Sequence, residues 1–180
     1  LRSLGGTPQY FSNQAPVRVS SELERIAALP RRSAQFAEAN VDVEAVSQKY
    51  RRRGGTMVLR SIQAWALEEA RVTRGLIAPM AVGSGKTLLS LLLPRALDVP
   101  VSVLIVPASL KRQLQNNYDE YLKHWVLPNL FDYKFAPSVK NNLYVFSYDE
   151  ISSPKKYDLL SRIKPNAIIC DEAHHLKALS

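Results

Sequence analysis

The sequence predicts an α/β fold, a parallel sheet flanked by helices, preceded by a mostly helical N-terminal extension. Three observations predict it. Short apolar runs at 75–78, 101–106, 143–146 and 167–170 alternate with amphipathic segments, the pattern of strands joined by crossover helices. The runs are near-continuous in apolar residues, as strands buried on both faces require. A glycine turn, Gly83-Ser84-Gly85-Lys86-Thr87, leads from the first run into a leucine-rich helix, and the acidic pair Asp171-Glu172 follows the last run directly.

Taken in order, residues 1–19 mix Gly5-Gly6, Pro8 and Pro16 with polar residues and read as an extended arm. Ser21 with Glu24 forms a capping box, and Leu23, Ile26 and Ala27 make one face of a short helix that Pro30 stops. Between 33 and 53, Phe36, Ala39, Val43, Val46 and Tyr50 recur at three and four residues, an apolar stripe with an interruption near Asn40. Gly54-Gly55 marks a boundary, giving an extension at 1–55 and a lobe at 56–180. Within the lobe, helices are expected at 62–71, from Lys86 to an end or kink at Pro94, at 108–124 and at 157–163, with a polar connection at 152–156.

Composition sets bounds. A chain of 180 residues, 46% hydrophobic and 22% charged, suits one globular domain plus an extension. Its apolar runs, such as 91–93 and 103–106, fall far short of the roughly 20 residues of a membrane span, and no charged-then-apolar leader opens it. A soluble protein of the cytoplasm or nucleus, neither secreted nor membrane-bound, is expected. The single cysteine, Cys170, excludes an internal disulfide. The net charge of +8 favours a polyanionic partner, although ordinary solubility accounts for it equally. The basic excess is densest in residues 1–55 and peaks at Lys49-Tyr50-Arg51-Arg52-Arg53. Arg51, Arg52 and Arg53 are candidate phosphate contacts and Tyr50 a candidate for stacking on a base, against the alternative of a solvated linker.

The turn at 83–87 has the chemistry of a phosphate cradle. Gly83 and Gly85 let backbone NH groups turn inward, and Lys86 opens a helix whose N-terminus attracts anions. Lys86 would neutralise the β and γ charge, the Thr87 hydroxyl would ligate Mg²⁺, and Gly83, Ser84 and Gly85 would line the phosphates. The strict pattern G-x-x-x-x-G-K-[ST] fails, since its first glycine position holds Met80. The alternative is a plain glycine turn before an amphipathic helix.

The last strand supplies what the loop lacks. Two carboxylates at the C-terminal edge of a parallel strand stand where ligands bind such sheets. Asp171 is the candidate to hold Mg²⁺, and Glu172 the candidate to orient and deprotonate an attacking water, so that Glu172, Asp171 and Lys86 form the catalytic set. An acidic pair capping a following helix is the alternative. Cys170, His174 and His175 also raise a zinc reading, with only three candidates and Cys170 expected to point into the sheet.

Gly83-Ser84-Gly85-Lys86-Thr87 and Asp171-Glu172-Ala173-His174 resemble motifs I and II of superfamily 2 helicases and translocases. Leu59-Arg60-Ser61-Ile62-Gln63 resembles the segment upstream of motif I, whose glutamine can read adenine. Val106-Pro107-Ala108-Ser109-Leu110 resembles motif Ia, and Ser147-Tyr148-Asp149-Glu150 the nucleic-acid contact region after it. The ending His175-Leu176-Lys177 is similar to the Swi/Snf type. The resemblance runs from Leu59 to the end and implies the first RecA-like lobe, with a DEAH box, of an ATP-dependent motor. It implies ATP and Mg²⁺ as cofactors, Gln63 at the adenine, Pro107, Ser109 and Ser147 on nucleic acid, DNA before RNA, and His174 in coupling. By that comparison the chain reads as a piece of something longer. A motif III strand and a second lobe with an arginine finger are expected beyond Ser180, so that residues 1–180 alone would bind ATP with negligible hydrolysis. The competing class is a nucleotide-binding structural component of a larger nucleoprotein assembly.

Overall fold

A computed structural model describes Glu24 and residues 40–132, 141–153 and 157–173. All but Glu24 belong to one compact unit, Ala34–Ser180. The expected arm and capping-box helix, and the stripe as far as Ala39, lie outside the described residues.

In chain order the elements are α1 (Val43–Tyr50), α2 (Ser61–Thr73), α3 (Lys86–Ala96), β1 (Val101–Val106), a 3₁₀ turn (Ala108–Leu110), α4 (Lys111–Tyr121), β2 (Asn129–Asp132), β3 (Asn142–Ser147), α5 (Tyr148–Ser152), α6 (Tyr157–Ile163) and β4 (Ala167–Cys170). The strands make one sheet in the order β2-β3-β1-β4, parallel throughout. This is the expected α/β architecture, with helices against both faces of the sheet.

Alternation along β1 sorts the two faces. Leu104 and Val106 join Leu143, Val145 and Ile169 in a core shared with α1, α2, α3 and α4, while Val103 and Ile105 join Tyr144, Phe146 and Tyr148 against α5 and α6. Both faces are covered, which is why β1 carries no polar residue beyond the fully buried Ser102. Helix α3 is apolar nearly all round because it lies inside the first core: Leu91 and Leu92 are fully buried, worth about 1.5–3 kcal/mol each over exposure. Pro94 does not stop α3. The helix runs two residues further and ends where Leu97 NH meets the Leu93 carbonyl.

The strand expected at 75–78 does not form. Its ladder groups are diverted: the Thr73 hydroxyl donates to the Gly75 carbonyl at 2.6 Å, Met80 NH to the Ala78 carbonyl at 2.8 Å, and Pro79 has no NH to offer. Ile77 is left 92% exposed. Conversely, β2 is a strand that the apolar pattern did not announce, a four-residue edge added beside β3.

The segment before α2 is tied into the core. Asp42 caps α1 by accepting from Ala45 NH at 2.9 Å, and Val46 and Tyr50, one turn apart, are buried. The buried Ser47 hydroxyl donates to the Val43 carbonyl at 2.7 Å and accepts from Leu59 NH at 3.0 Å, fixing α1 to the start of α2. Beyond α1 the chain pairs with the turn after α4, through Val126 NH on the Tyr50 carbonyl at 2.9 Å and Arg52 NH on the His124 carbonyl at 3.0 Å. Gly55 lies so close to that turn that an added Cβ would sit 2.2 Å from the His124 carbonyl oxygen. Gly55→Ala must therefore push the two backbones apart. A loss of about 1–3 kcal/mol, read as a lower midpoint in urea, is the expected result; an unchanged midpoint would mean that this pairing carries no stability.

Candidate functional site

The glycine turn is built as a collar of hydrogen bonds facing away from the helix it feeds. Gly83 and Gly85 take φ of +78° and +86°, and Ser84 is folded back by its hydroxyl on the Ala81 carbonyl at 2.6 Å. The turn's carbonyls are held from α2. Gln63 Nε2 donates to the Gly85 carbonyl at 2.9 Å, Arg60 Nη1 donates to the Gly83 carbonyl, and Gln63 Oε1 accepts from Arg60 NH at 2.8 Å. Gln63 is buried, and a Cβ at Gly85 would meet its amide nitrogen at 2.2 Å, so only glycine fits. With the carbonyls engaged, the NH groups of Gly85, Lys86 and Thr87 meet no acceptor among the described residues. Three donors at one helix N-terminus form an anion site.

The carboxylates arrive at the C-terminal end of β4. Asp171 NH donates to the Ile105 carbonyl at 2.9 Å, continuing the β1–β4 ladder one residue past the strand. Glu172 then takes a left-handed backbone, φ +54°, and its Oε1 accepts from Lys86 Nζ at 2.7 Å. Both partners are about one quarter to one third exposed, at 26% and 30%. Burial pushes the Asp171 carboxyl above its usual range and the Glu172 charge adds to this, opposed by Lys86 and by the Glu172 NH. Two carboxylates thus share one lysine, and the surplus negative charge is poised for a cation. A cleft of about 890 Å³ opens beside them between the 75–80 segment, α3 and β4, and Lys86, Asp171 and Glu172 belong to its wall.

These residues fit a magnesium nucleoside triphosphate. Mg²⁺ usually comes with the phosphates and takes only one or two protein oxygens, a demand that the Thr87 hydroxyl and Asp171 meet. Among the described residues no group of three or more His, Cys, Asp or Glu side chains is placed to hold a metal by itself. His174 and His175, on which the coupling role and the zinc reading depended, lie outside the described residues.

The expected nucleic-acid residues are distributed unevenly. Ser109 is exposed in the turn after β1, with Pro107 half-buried beside it. Ser147 is buried and its hydroxyl caps α5, accepting from Glu150 NH at 3.2 Å, so that group faces the protein. Tyr50 is corrected outright: at 4% exposure its ring is core and has no face to offer a base. In the basic run, Lys49 pairs with Glu68 at 2.8 Å and Arg51 with Glu44 at 2.8 Å and the Met57 carbonyl. Arg52, though exposed, donates to the Leu122 carbonyl at 2.5 Å, and Arg53 is exposed.

Three braces of the site were not expected from the sequence, although Gln63 itself was singled out for the adenine. Arg60 grips the loop, and Gln63 braces it where adenine reading alone was expected. Gln63 at the third position of α2, bonded back to Arg60 NH, is half of a capping box and could have been read as such. The third is Tyr148, whose hydroxyl donates to the Asp171 carbonyl at 2.7 Å.

The raised Asp171 carboxyl makes a prediction with a definite sign. Its folded pKa lies above the unfolded one, so its contribution to stability is complete below the ordinary carboxylate range and is lost as pH rises through the folded value. Asp171→Asn abolishes that loss. In metal-free buffer the variant should melt above the wild type at pH 7 and level with it near pH 3; a lower melting point at pH 7 would contradict the electrostatics described.

With this geometry in place, comparison with known proteins gives a family. Residues 56–180 match the family described as type III restriction enzyme, res subunit. No curated protein and no solved structure gives a significant match. The match covers most of the chain and places it at the first RecA-like lobe of the superfamily 1 and 2 helicases. The chain that carries this glycine turn and these carboxylates therefore belongs to the type III restriction enzyme res subunit family.

Proposed function

We propose that this chain binds Mg-ATP and forms the ATP-binding part of an ATP-dependent nucleic-acid helicase or translocase. The observation that carries the reading is the 2.7 Å approach of Glu172 to Lys86, two residues 86 positions apart that meet at a helix N-terminus with unused NH donors. In the proposed roles, those amides and Lys86 hold the phosphates, Thr87 and Asp171 face the metal, and Glu172 takes the proton of the attacking water. Bound Mg²⁺ supplies neutralisation of the phosphate charge. Glu172 serves as base only after releasing Lys86, so phosphate arriving at Lys86 is what frees it. Gln63 holds the loop open for the ligand by donating its amide to the Gly85 carbonyl.

Nucleic acid, DNA before RNA, is proposed along the edge where β1 and β3 end, with Pro107 and Ser109 nearest; Arg52 and Arg53 lie by the turn after α4, toward the end of the sheet where β2 begins, and would contact phosphate only on a strand that reaches that far. The support is positional: this edge adjoins the carboxylates, as Val106 pairs with Ser147 and Ile105 with Cys170. No helix among the described residues is long and apolar enough to cross a membrane.

The experiment is calorimetric titration of the intact chain with Mg-ATP. Lys86→Ala removes the charge that offsets the phosphates and should weaken binding roughly tenfold to a hundredfold. Equal affinity in the two proteins would refute the phosphate-loop assignment.

A further inference from the structure

The turn that carries the two carboxylates is fastened on both sides of one residue. The NH of Asp171 is held by the Ile105 carbonyl of β1, and its carbonyl by the Tyr148 hydroxyl of α5 at 2.7 Å. The next residue, Glu172, has the left-handed backbone that a non-glycine residue keeps only where its surroundings impose it. Released at the Asp171 carbonyl, the peptide between the two acids would lose the one hold on it that comes from α5, leaving the Glu172 NH on the Asp171 carboxylate as a local tie. Both carboxylates would then lose their direction.

Tyr148 is built for this contact. It is the first residue of α5, just past the end of β3, and its ring is buried against Val103, Ile105, Tyr144 and Phe146. That packing calls only for an aromatic ring. The hydroxyl is what reaches β4. Burial, then the nearby Cys170, Asp171 and Glu172, push the phenol up to about 12, so it stays a donor across the physiological range. Helix α5 is itself fixed, because Glu150 accepts from Ser147 NH at 2.7 Å and from Lys111 Nζ at 2.8 Å.

We propose that Tyr148 is a positioning residue for the Asp171–Glu172 pair: by holding the Asp171 carbonyl, its hydroxyl aims Asp171 at the metal of the bound nucleotide and Glu172 at Lys86. This rests on the Mg-ATP reading above. Tyr148 acts through the acids, on the metal side by way of Asp171 and on Lys86 by way of Glu172, while the backbone of the phosphate loop is braced separately by Arg60 and Gln63.

The test is Tyr148→Phe in the intact chain, which deletes the hydroxyl and keeps the ring. Affinity for a non-hydrolysable ATP analogue is titrated in EDTA and again across a Mg²⁺ series, and amide hydrogen exchange is followed at Asp171 and Glu172. The expected result is metal-free affinity no lower than wild type, raised severalfold as Glu172 loosens its hold on Lys86, with roughly fivefold more Mg²⁺ for half-maximal tightening and exchange faster by a similar factor. An unchanged Mg²⁺ requirement overturns the proposal, as does equal loss of metal-free and metal-dependent affinity, which would mean general damage to the site. A wild-type chain that binds no nucleotide at any Mg²⁺ concentration refutes the functional reading instead. Exchange then decides by itself whether the hydroxyl holds the turn, an unchanged rate refuting it.

Discussion

The parallel register of β4 on β1 is the constraint on which the site depends. Ile105 lies opposite Cys170, and one further hydrogen bond, from Asp171 NH to the Ile105 carbonyl, carries the ladder past the end of the strand. That fixes where the chain turns. A slip of one residue would turn the side chains of β4 to the opposite faces, moving Ile169 out of the core, and would carry the acids away from Lys86. Because β1 is buried on both faces, such a slip would cost core packing as well as geometry, so the fold's stability and the site's alignment are enforced by the same contacts.

A second line of contacts holds the phosphate side. It starts in α1, where Ser47 accepts from Leu59 NH, passes to Arg60 and Gln63 at the head of α2, and ends on the carbonyls of Gly83 and Gly85. Each step satisfies a polar group that would otherwise be stranded near the core, which gives the segment ahead of α2 a physical reason to be where it is. The basic residues at the end of α1 add little: Lys49 reaches Glu68 of α2 and Arg51 turns back to Glu44 of α1, exposed or half-exposed pairs worth about 0–1 kcal/mol each.

Much of this was legible in the sequence because burial leaves a strong trace. β1, β4 and α6 fall on the predicted residues, and β3, α2 and α3 within two or three, since apolar runs and helical stripes record which faces are covered. What was not legible concerns partners. An apolar run at 75–78 does not say that Thr73 and Met80 will divert its carbonyls, and β2, with only Leu130 and Phe131 apolar, is an edge too short to stand out. Ser147 and Glu150 have the spacing of a capping box, and the fold uses them as one, a local role that likeness to a nucleic-acid contact region does not reveal. The site showed the same division: the types of residue at 83–87 and 171–172 announced their chemistry, whereas the braces on them, Arg60 and Tyr148, depend on distances that only the fold supplies.

The central claim is that Lys86 is shared, held by Glu172 in the free protein and claimed by phosphate when nucleotide arrives. The most direct measurement is the affinity of Glu172→Gln for a non-hydrolysable ATP analogue in Mg²⁺, compared with the wild type by calorimetry. Removing the competing carboxylate leaves Lys86 unpaired, so the account predicts tighter binding in the variant, by roughly fivefold or more. Equal or weaker binding would contradict it, showing that the Lys86–Glu172 contact does not compete with the ligand.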